Sequence, residues 1–452
     1  MLAGTPILTA AEMRAAEMAT CVDGVTLAEL MQRAGAALAD LAWRIAAGRP
    51  IHILCGPGNN GGDGAVAARM LAKRGGDVRV SALSEPKTEL ARAARRAWGG
   101  PVGGLAEDAM PGAILVDCLF GTGLVRAIAP DVASALARHA AAAHRTLAAD
   151  LPSGMNSDDG ALLGCPYLAD VTLAFGALKP AHLLFPAAAQ CGEVRLARIG
   201  MEATSQVRVA AMPELAKPDH ASHKYTRGLV AVVAGAMSGA AELAARAALR
   251  SGAGTVHIHG GRLPASAPFA VVRRPWRDGE ALCDPRINAI VIGPGLGQGE
   301  AAVVRFAAAL ASAKPLVIDA DALALLPPHP LKVPTILTPH AGEFARLCNH
   351  SGDKLAATRA LAERTQAVVI HKGADTVIAA PDGRVAVHSP GSPWLSCAGT
   401  GDVLAGICGA MLARGLDAFD AAQAAILLHS RAAKRAGPGL IADDLVAAPI
   451  WP

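Results

Sequence analysis

Short apolar runs alternate with helical stretches along most of this chain. In the first half, strands are predicted at residues 51–55, 78–83, 114–118, 147–149 and 171–175, and helices at 64–74 and 131–143. Two earlier helices are predicted because Thr9 and Glu12, and again Thr26 and Glu29, have the spacing of a capping box. Buried strands separated by helices are typical of a parallel sheet covered on both faces.

A second series of the same kind begins after residue 226. It comprises predicted strands at 229–234, 289–292, 316–318, 335–337 and 368–370, and helices at 240–250, 300–311 and 403–414. Between the two series, from about Gln206 to Thr226, prolines cluster with charged residues, which indicates a linker. We therefore predict an α/β fold of two consecutive domains, residues 1–205 and 223–452, joined by residues 206–222. A length of 452 residues, 52% of them hydrophobic, suffices for two cores.

Composition excludes several kinds of partner. The net charge of +4 comes without a basic run, and aromatic residues make up only 3%, so we expect no nucleic-acid partner. No apolar stretch approaches the roughly 20 residues of a membrane helix, so we expect no membrane partner. The nine cysteines include no C-x-x-C pair, which favours reduced thiols in a cytoplasmic protein. Homo-oligomerisation is left open.

A glycine-rich loop, CGPGNNGGDG from Cys55, follows the first predicted strand and precedes a helix. Glycines at such a junction let backbone donors approach a phosphate, and the helix start adds a favourable dipole. Gly56, Gly58 and Gly61 formally satisfy the dinucleotide fingerprint G-x-G-x-x-G, although Asn59 and Asn60 are unusual in it. Their amides suit a polar ligand or a cation. The alternative is a turn that is rich in Gly and Asn for backbone reasons alone.

Polar residues also follow later strands of the first series. Asp117 lies near the end of one strand, before the turn Gly121–Gly123, and Asp150 and Ser153 follow another. Each aspartate could simply cap the next helix. Together they predict a shared pocket at the carboxyl edge of the sheet, with hard oxygen ligands for a cation.

These stretches, with LMQRAG from Leu30, resemble the epimerase domain of the NAD(P)H-hydrate repair family over about residues 8 to 200. The resemblance implies a Rossmann-like domain that binds hydrated NADH or NADPH and a potassium ion. It implies that Asn60, Asp117 and Ser153 hold potassium and that Asp150 contacts the reacting nicotinamide end. Proton transfer could fall to Asp150 or to Lys179. The remaining implied substrate contacts are Asn59, Asn60, Gly61, Gly62, Asp63, Gly121, Thr122, Gly123, Leu124, Val125, Arg126 and Ala127.

The second half carries the motif CAGTGDVLAG from Cys397. Its Gly399–Gly401 turn opens a predicted helix, where free backbone amides can receive phosphoryl charge. Asp402 follows at once and could take a hydroxyl proton during phosphoryl transfer. The alternative role for Asp402 is stabilisation of the helix dipole. No G-x-x-x-x-G-K-[ST] motif exists in the chain, which excludes a P-loop.

Residues from about 220 to 448 resemble the ribokinase-like superfamily, and within it the hydrate dehydratase branch. The matching stretches are AELAARAALRSGAG from Ala241, GPGLG from Gly293, DADAL from Asp319, TPHAGEFARL from Thr338 and HKGADTVI from His371. The resemblance implies that Ala253, Gly295, His340 and Asp402 contact the hydrate, with Asp402 as base, and that Gly401 contacts the AMP portion. The implied contacts to the nucleotide phosphates are Lys372, Gly373, Ala374, Asp375 and Thr376.

Some assignments in this half stay open from the sequence. His340 could instead be a core or capping residue. Asp319 and Asp321 could orient the pocket, hold magnesium or cap a helix. The segment AGAMSGA from Ala234 departs from the family pattern, which puts contacts at the first strand in doubt.

The two resemblances together imply a bifunctional repair enzyme that uses ADP and releases AMP and phosphate. One alternative is a dehydrogenase fused to a small-molecule kinase, for which Glu85 is the nearest candidate ribose-binding acid. Another is a first domain that only senses or scaffolds a ligand.

Overall fold

The computed structural model describes residues 3–261, 268–348 and 353–451 of the chain. The chain divides into two compact units, residues 1–207 and 208–452. Both are α/β, as the sequence predicted. Among the residues described, no helix is long and apolar enough to cross a membrane.

The first unit is built on a seven-stranded sheet whose strand order is β3-β2-β1-β4-β5-β6-β7, with parallel neighbours throughout. Its strands are β1 (Ile51–Cys55), β2 (Val78–Ala82), β3 (Gly103–Gly104), β4 (Ile114–Cys118), β5 (Arg145–Ala149), β6 (Val171–Phe175) and β7 (Glu193–Ala197). Its helices are α1 (Ala10–Val22), α2 (Leu27–Ala46), α3 (Asn59–Lys73), α4 (Glu89–Trp98) and α5 (Pro130–Ala142). The capping boxes predicted at Thr9 and Thr26 are both formed.

Helix α3 begins at Asn59, five residues before the start predicted at residue 64. The glycines that suggested an open loop instead pack the first turn of the helix against the sheet. A Cβ on Gly61 would lie only 2.0 Å from the carbonyl oxygen of Gly56, and one on Gly64 would lie 2.9 Å from the side chain of Cys118. Close packing, rather than turn geometry, is therefore what requires glycine here.

The second sheet has ten strands in the order β11-β10-β9-β12-β13-β14-β15-β16-β17-β8. Pairing is parallel from β11 to β15 and antiparallel from β15 to β17. The strands are β8 (Val207–Val209), β9 (Leu229–Val233), β10 (Thr255–Gly260), β11 (Val271–Pro275), β12 (Ile287–Ile292), β13 (Leu316–Ile318), β14 (Thr335–Leu337), β15 (Val368–His371), β16 (Thr376–Ala379) and β17 (Val385–His388). The helices are α6 (Ser238–Arg250), α7 (Glu300–Ala311), α8 (Ala341–Leu347), α9 (Lys354–Thr365), α10 (Thr400–Ala413), α11 (Ala418–Ala436) and α12 (Ala442–Leu445).

The segment predicted as a linker, residues 206–222, is partly structured. Val207–Val209 form β8, and the N–H of Ala210 donates to the carbonyl of Val387 at 2.9 Å. Three residues with only two buried side chains are too short a pattern to stand out in the sequence.

Helix α10 crosses the second core against α6, and glycine makes the approach possible. A Cβ on Gly406 would lie 2.1 Å from the backbone oxygen of Ala244, whereas one on Gly239, in α6, meets nothing within 4 Å. Steric fit at Gly406 therefore decides how closely the two helices pack.

We predict that Gly406→Ala lowers the free energy of unfolding by about 1–3 kcal/mol, because the backbone of α6 must shift. The control Gly239→Ala has open space and higher helix propensity, so it should be neutral or stabilising by up to about 1 kcal/mol. Urea unfolding of both variants measures the difference. Equal stability of the two would contradict this packing.

Candidate active sites

A cavity of about 530 Å³ lies at the carboxyl edge of the first sheet. It is formed by the start of α3, the loops after β4 and β5, and side chains from α1 and α2. The predicted residues that line it are Asn59, Asn60, Asp63, Gly121, Thr122, Gly123, Leu124, Val125, Arg126 and Asp150. Gly61, Gly62 and Ala127 are not in this lining. The two glycines are buried in the packed first turn of α3, and Ala127 is exposed beyond the loop. Glu85, the acid that a dehydrogenase would need, is also absent from the lining.

Asp150 forms a buried ion pair with Lys179 in this cavity. The backbone of Asp150 is left-handed, with φ of 65°, and its Oδ1 accepts from Lys179 Nζ at 2.5 Å. Lys179 also donates to the carbonyls of Phe175 at 2.8 Å and Ala177 at 3.1 Å, and it is only 1% exposed. These three protein oxygens take up the N–H groups of Lys179, so none is left to contact a substrate. Of the two predicted candidates for proton transfer, the geometry favours Asp150.

His182, which the sequence did not single out, locks this pair in place. Its Nε2 lies 2.6 Å from the carbonyl oxygen of Asp150, and its Nδ1 accepts from the backbone N–H of Lys179 at 2.9 Å. Burial, with the adjacent Lys179 charge, lowers the pKa of His182 to about 4. The neutral ring therefore donates from Nε2 and accepts at Nδ1, which fixes the backbone on both sides of the ion pair.

Two further carboxylates share the cavity with Asp150. Burial, followed by the charges of Asp150 and Glu17, raises the pKa of Asp63 well above its usual value. Burial also raises the pKa of Glu17, a residue of α1 that sequence reasoning missed. Three carboxyl groups beside one lysine cannot all stay ionised at low cost, so Asp63 and Glu17 are disposed to hold a proton.

The three residues predicted to hold potassium meet at the loop that follows β4. Asp117 is buried, and its two oxygens accept from Ser153 Oγ at 2.7 Å, Ser153 N at 2.9 Å, Leu119 N at 3.0 Å and the Tyr167 hydroxyl at 2.7 Å. Burial raises the pKa of Asp117, and these hydrogen bonds oppose the rise. The Asp117 carboxylate therefore holds the loop after β4 in place, in addition to being a candidate cation ligand.

Asn60 provides the observation that fits a cation. Its side-chain oxygen and nitrogen are both buried, and neither has a hydrogen-bond partner among the residues described. A Cβ on Gly121 would lie 3.5 Å from this side chain, so the amide faces the same loop that Ser153 and Asp117 hold. An unpaired amide oxygen that faces a loop held by a buried carboxylate matches the oxygen ligands that hard cations prefer.

In the second unit, side chains from separate strand ends converge at the carboxyl edge of the parallel strands. Asp319, just after β13, accepts at Oδ1 from Lys372 Nζ at 3.0 Å and from Thr338 Oγ1 at 2.6 Å. A Cβ on Gly401 would lie 3.4 Å from Lys372 Nζ and 3.9 Å from Asp319 Oδ2. The backbone at the start of α10 is thus beside a buried ammonium and a carboxylate.

The start of α10 has the features of an anion site. Its N-cap, Gly399, has φ of 86° and gives no side-chain cap to the first backbone N–H groups. Burial would lower the pKa of Lys372, but Asp319, Glu343 and Asp402 outweigh it, so the lysine stays protonated. Free amides together with a cation suit a phosphate.

Asp402 is the half-buried carboxylate in the first turn of α10. Burial, and then the charges of Asp319 and Asp321, raise its pKa to about 6, while Lys372 opposes the rise. A carboxylate with a pKa near the working pH is suited to general-base catalysis.

Within the described ranges, no group of three or more His, Cys, Asp or Glu side chains is arranged as a metal site.

Gly295 and Asp321 belong to the same edge of the sheet. Gly295 has φ of 62°, and a Cβ there would lie 2.3 Å from the carbonyl oxygen of Met237, which keeps this loop beside the start of α6. Asp321 Oδ2 accepts from the N–H of Gly297 at 2.8 Å. Asp321 therefore orients the glycine loop, whereas Asp319 pairs with Lys372.

His340 takes the capping geometry. Its Nδ1 accepts from the N–H groups of Gly342 at 3.0 Å and Glu343 at 3.3 Å, at the start of α8. The side chain is 58% exposed, and its Nε2 lies 3.4 Å from Oε1 of Glu343. The capping alternative is realised, and contact with substrate stays a prediction.

The predicted phosphate contacts Lys372–Thr376 form the turn between β15 and β16. Lys354, which the sequence analysis missed, donates from Nζ to the Oδ1 of Asp375 at 2.7 Å. Thr376 Oγ1 donates to the carbonyl of Gly373 at 3.1 Å, and Gly373 and Ala374 are exposed. Lys354 therefore stabilises the turn from its buried side, and the backbone at Gly373 and Ala374 is accessible to a ligand.

Ala253 is not brought to this site. It precedes β10, whereas Gly295, His340 and Lys372 each follow a strand of the same parallel sheet. Helix α6 runs back along the sheet for 13 residues, so its end and Ala253 lie at the opposite edge. Ala253 is only 4% exposed and packs in the core.

Two α/β domains, each with charged groups converging at the carboxyl edge of its own parallel strands, define a two-domain enzyme whose second site is a candidate for phosphoryl binding. The model of the family described as NAD(P)H-hydrate dehydratase matches residues 230–442, and the one described as YjeF-related protein N-terminus matches residues 27–181. The chain belongs to the family of bifunctional NAD(P)H-hydrate repair enzymes.

Two relatives with known sequences support this membership. The bifunctional NAD(P)H-hydrate repair enzyme Nnr of Mycobacterium tuberculosis is 37% identical over 83% of this chain and 81% of its own. The Escherichia coli protein of the same name is 35% identical over 93% of this chain and 88% of its own. A solved ADP/ATP-dependent NAD(P)H-hydrate dehydratase from Bacillus subtilis, co-crystallized with ATP/Mg2+, is 32% identical with a TM-score of 0.46, covering 51% of this chain and 91% of that one.

Proposed function

We propose that this chain restores hydrated NADH and NADPH in two steps. The first domain, residues 1–205, interconverts the R and S epimers of the hydrate. The second, residues 223–452, dehydrates the S epimer with ADP as phosphoryl donor and releases AMP and phosphate. The observation that carries the second step is the convergence of Asp402, Lys372 and Asp319 at the start of α10.

In the dehydration step, Asp402 accepts the proton of the hydrate's C6 hydroxyl as its oxygen attacks the terminal phosphorus of ADP. An oxygen–phosphorus bond forms, and the bond from that phosphorus to AMP breaks. The ring nitrogen then expels phosphate from C6, and loss of a proton from the neighbouring carbon restores the double bond. Lys372 and the free amides at Gly401 are suited to the charge on the transferring group.

The neighbouring residues account for nucleotide and substrate binding in this proposal. The exposed backbone at Gly373 and Ala374, with Lys372, Asp375 and Thr376, would contact the nucleotide phosphates. Gly295 and His340 would contact the hydrate. A magnesium ion bound with the nucleotide would neutralise phosphate charge, and the carboxylates of Asp319 and Asp402 would be candidate ligands for it.

In the epimerisation step, Asp150 would contact the nicotinamide ring, held in position by Lys179 and His182. Asp63 and Glu17, whose pKa values are raised, could supply or take a proton on the same ring. Asn60, Asp117 and Ser153 would hold a potassium ion, which would supply positive charge to the site.

We predict that Asp402→Asn slows dehydration by on the order of 100- to 10,000-fold, because asparagine keeps the size but cannot accept the proton. In the unchanged protein, turnover should rise with pH up to the pKa of about 6 and then level off, because only the ionised carboxylate is a base. Steady-state rates with ADP between about pH 5 and 8 measure both effects.

The matched control is Asp417→Asn, which changes an aspartate that caps α11 in the same domain. Asparagine caps as well as aspartate, so turnover and melting temperature should stay close to normal. Near-normal turnover of Asp402→Asn would exclude Asp402 as the base.

We also predict that potassium raises the melting temperature of the intact protein and that Asn60→Ala abolishes the rise. The variant removes an amide that has no protein partner among the described residues, so the fold itself should be little affected. The measurement compares melting in potassium chloride and in tetramethylammonium chloride.

The control Gln32→Ala removes an exposed amide of the same domain and should keep the potassium effect. A potassium-dependent rise that persists unchanged in Asn60→Ala would reject this cation site. It would leave the dehydration proposal untouched.

A further inference from the structure

A second cavity of about 250 Å³ lies in the second domain, on the edge of the sheet away from Asp402. Three arginines line it: Arg227 just before β9, Arg250 at the end of α6 and Arg414 at the C-cap of α10. Helix α10 has 14 residues, and at 1.5 Å per residue it separates Arg414 from the start of the helix by about 20 Å. The cavity is therefore remote from the phosphoryl-transfer site.

Positive charge is concentrated around this cavity. Within residues 3–261, 268–348 and 353–451, no carboxylate lies within 4 Å of these three guanidinium groups. Arg227 and Arg414 both donate to one carbonyl oxygen, that of Gly252, at 3.2 and 3.3 Å, which brings two like charges together. The Nε of Arg227 is buried without a partner in the same part of the structure. Burial and the charge of Arg227 lower the pKa of Arg414.

Helix C-termini attract cations, which accounts for arginines at the ends of α6 and α10. It does not account for Arg227, which lies in neither helix and points to the same carbonyl. Nor does it require a cavity between the three groups. Arg414 is further held by stacking on the ring of Trp451, with the guanidinium carbon 4.1 Å from the ring centroid. Guanidinium groups that cluster around a cavity, two of them held by hydrogen bonds and none paired with a carboxylate of the described residues, form an arrangement that recognises phosphate.

We infer that this cavity binds a phosphate group, either free inorganic phosphate or the phosphate of a nucleotide. A volume of about 250 Å³ is large enough for a tetrahedral oxyanion. The largest ligand that it could hold is about the size of a mononucleotide. The anion offsets the repulsion between Arg227 and Arg414 and accepts hydrogen bonds from the guanidinium groups that line the cavity. This site is independent of the activity proposed above and differs from the nucleotide site at Gly401.

The test is equilibrium dialysis of the full chain against radiolabelled inorganic phosphate, for the unchanged protein and for Arg250→Ala. Arg250 is exposed, and its side chain holds no part of the fold among the described residues, so the variant should remain folded. We expect it to bind one phosphate per chain fewer, or to bind that phosphate at least about tenfold more weakly, because one charge-assisted contact is lost. Dehydratase activity should be unchanged.

Arg431→Ala is the matched control, since it removes an exposed arginine of α11 that does not line the cavity. Equal phosphate binding by Arg250→Ala and Arg431→Ala, or no phosphate bound by the unchanged chain beyond the catalytic site, would overturn the inference. A parallel arm with AMP and with adenosine distinguishes the sources. Loss of AMP binding in Arg250→Ala assigns the cavity to a nucleotide phosphate, and loss of inorganic phosphate alone assigns it to the free ion.

Discussion

In each domain, a lysine is held against an aspartate at the carboxyl edge of a parallel sheet. Lys179 meets Asp150 at 2.5 Å in the first domain, and Lys372 meets Asp319 at 3.0 Å in the second. Removing a charge from water is costly, and a buried pair returns that cost only when its geometry and its other hydrogen bonds are good. Both lysines have such geometry, because the strand ends of each sheet bring the hydrogen-bond partners of its lysine close together. In each domain, the other residues of the candidate site lie around this lysine–aspartate pair.

The pairs also set the chemistry of the groups beside them. In the second site, Asp319 already neutralises Lys372, so the remaining carboxylate, Asp402, experiences burial and like charge and its pKa rises to about 6. In the first site, Asp150 is paired with Lys179, while burial pushes Asp63 and Glu17 towards their protonated forms. Environments that separate the pKa values of neighbouring carboxyl groups are how one site provides both an acid and a base.

Much of the scaffold could be predicted because the central strands are uninterrupted apolar runs. Residues 51–55, 114–118 and 335–337 form strands with the predicted bounds. Strand β10 was missed because His257 and His259 break its apolar run, and the hairpin β16–β17 was missed because parallel pairing was expected throughout. The two glycine-rich motifs, from Cys55 and from Cys397, predicted where the candidate site of each domain lies.

What sequence could not reveal is pairing between distant positions. Asp150 and Lys179 are separated by 29 residues, and nothing in either segment shows that they meet. Lys354 and Asp375 are a similar case, since only the fold brings α9 against the turn after β15. A motif match also says nothing of which sheet edge a residue occupies, as Ala253 shows, and its contact with the hydrate stays a prediction.

The central claim is that two sites on one chain act in sequence on the same damaged cofactor. The most direct measurement follows the recovery of NADH absorbance from a mixture of both hydrate epimers with ADP, for the unchanged chain and for Asp150→Asn. The account predicts that the unchanged chain converts the whole mixture, whereas the variant converts the S fraction at a normal initial rate and then slows to spontaneous epimerisation. That normal initial rate also shows that the second domain is intact. Complete and rapid conversion by Asp150→Asn, or recovery that is independent of nucleotide, would contradict the account.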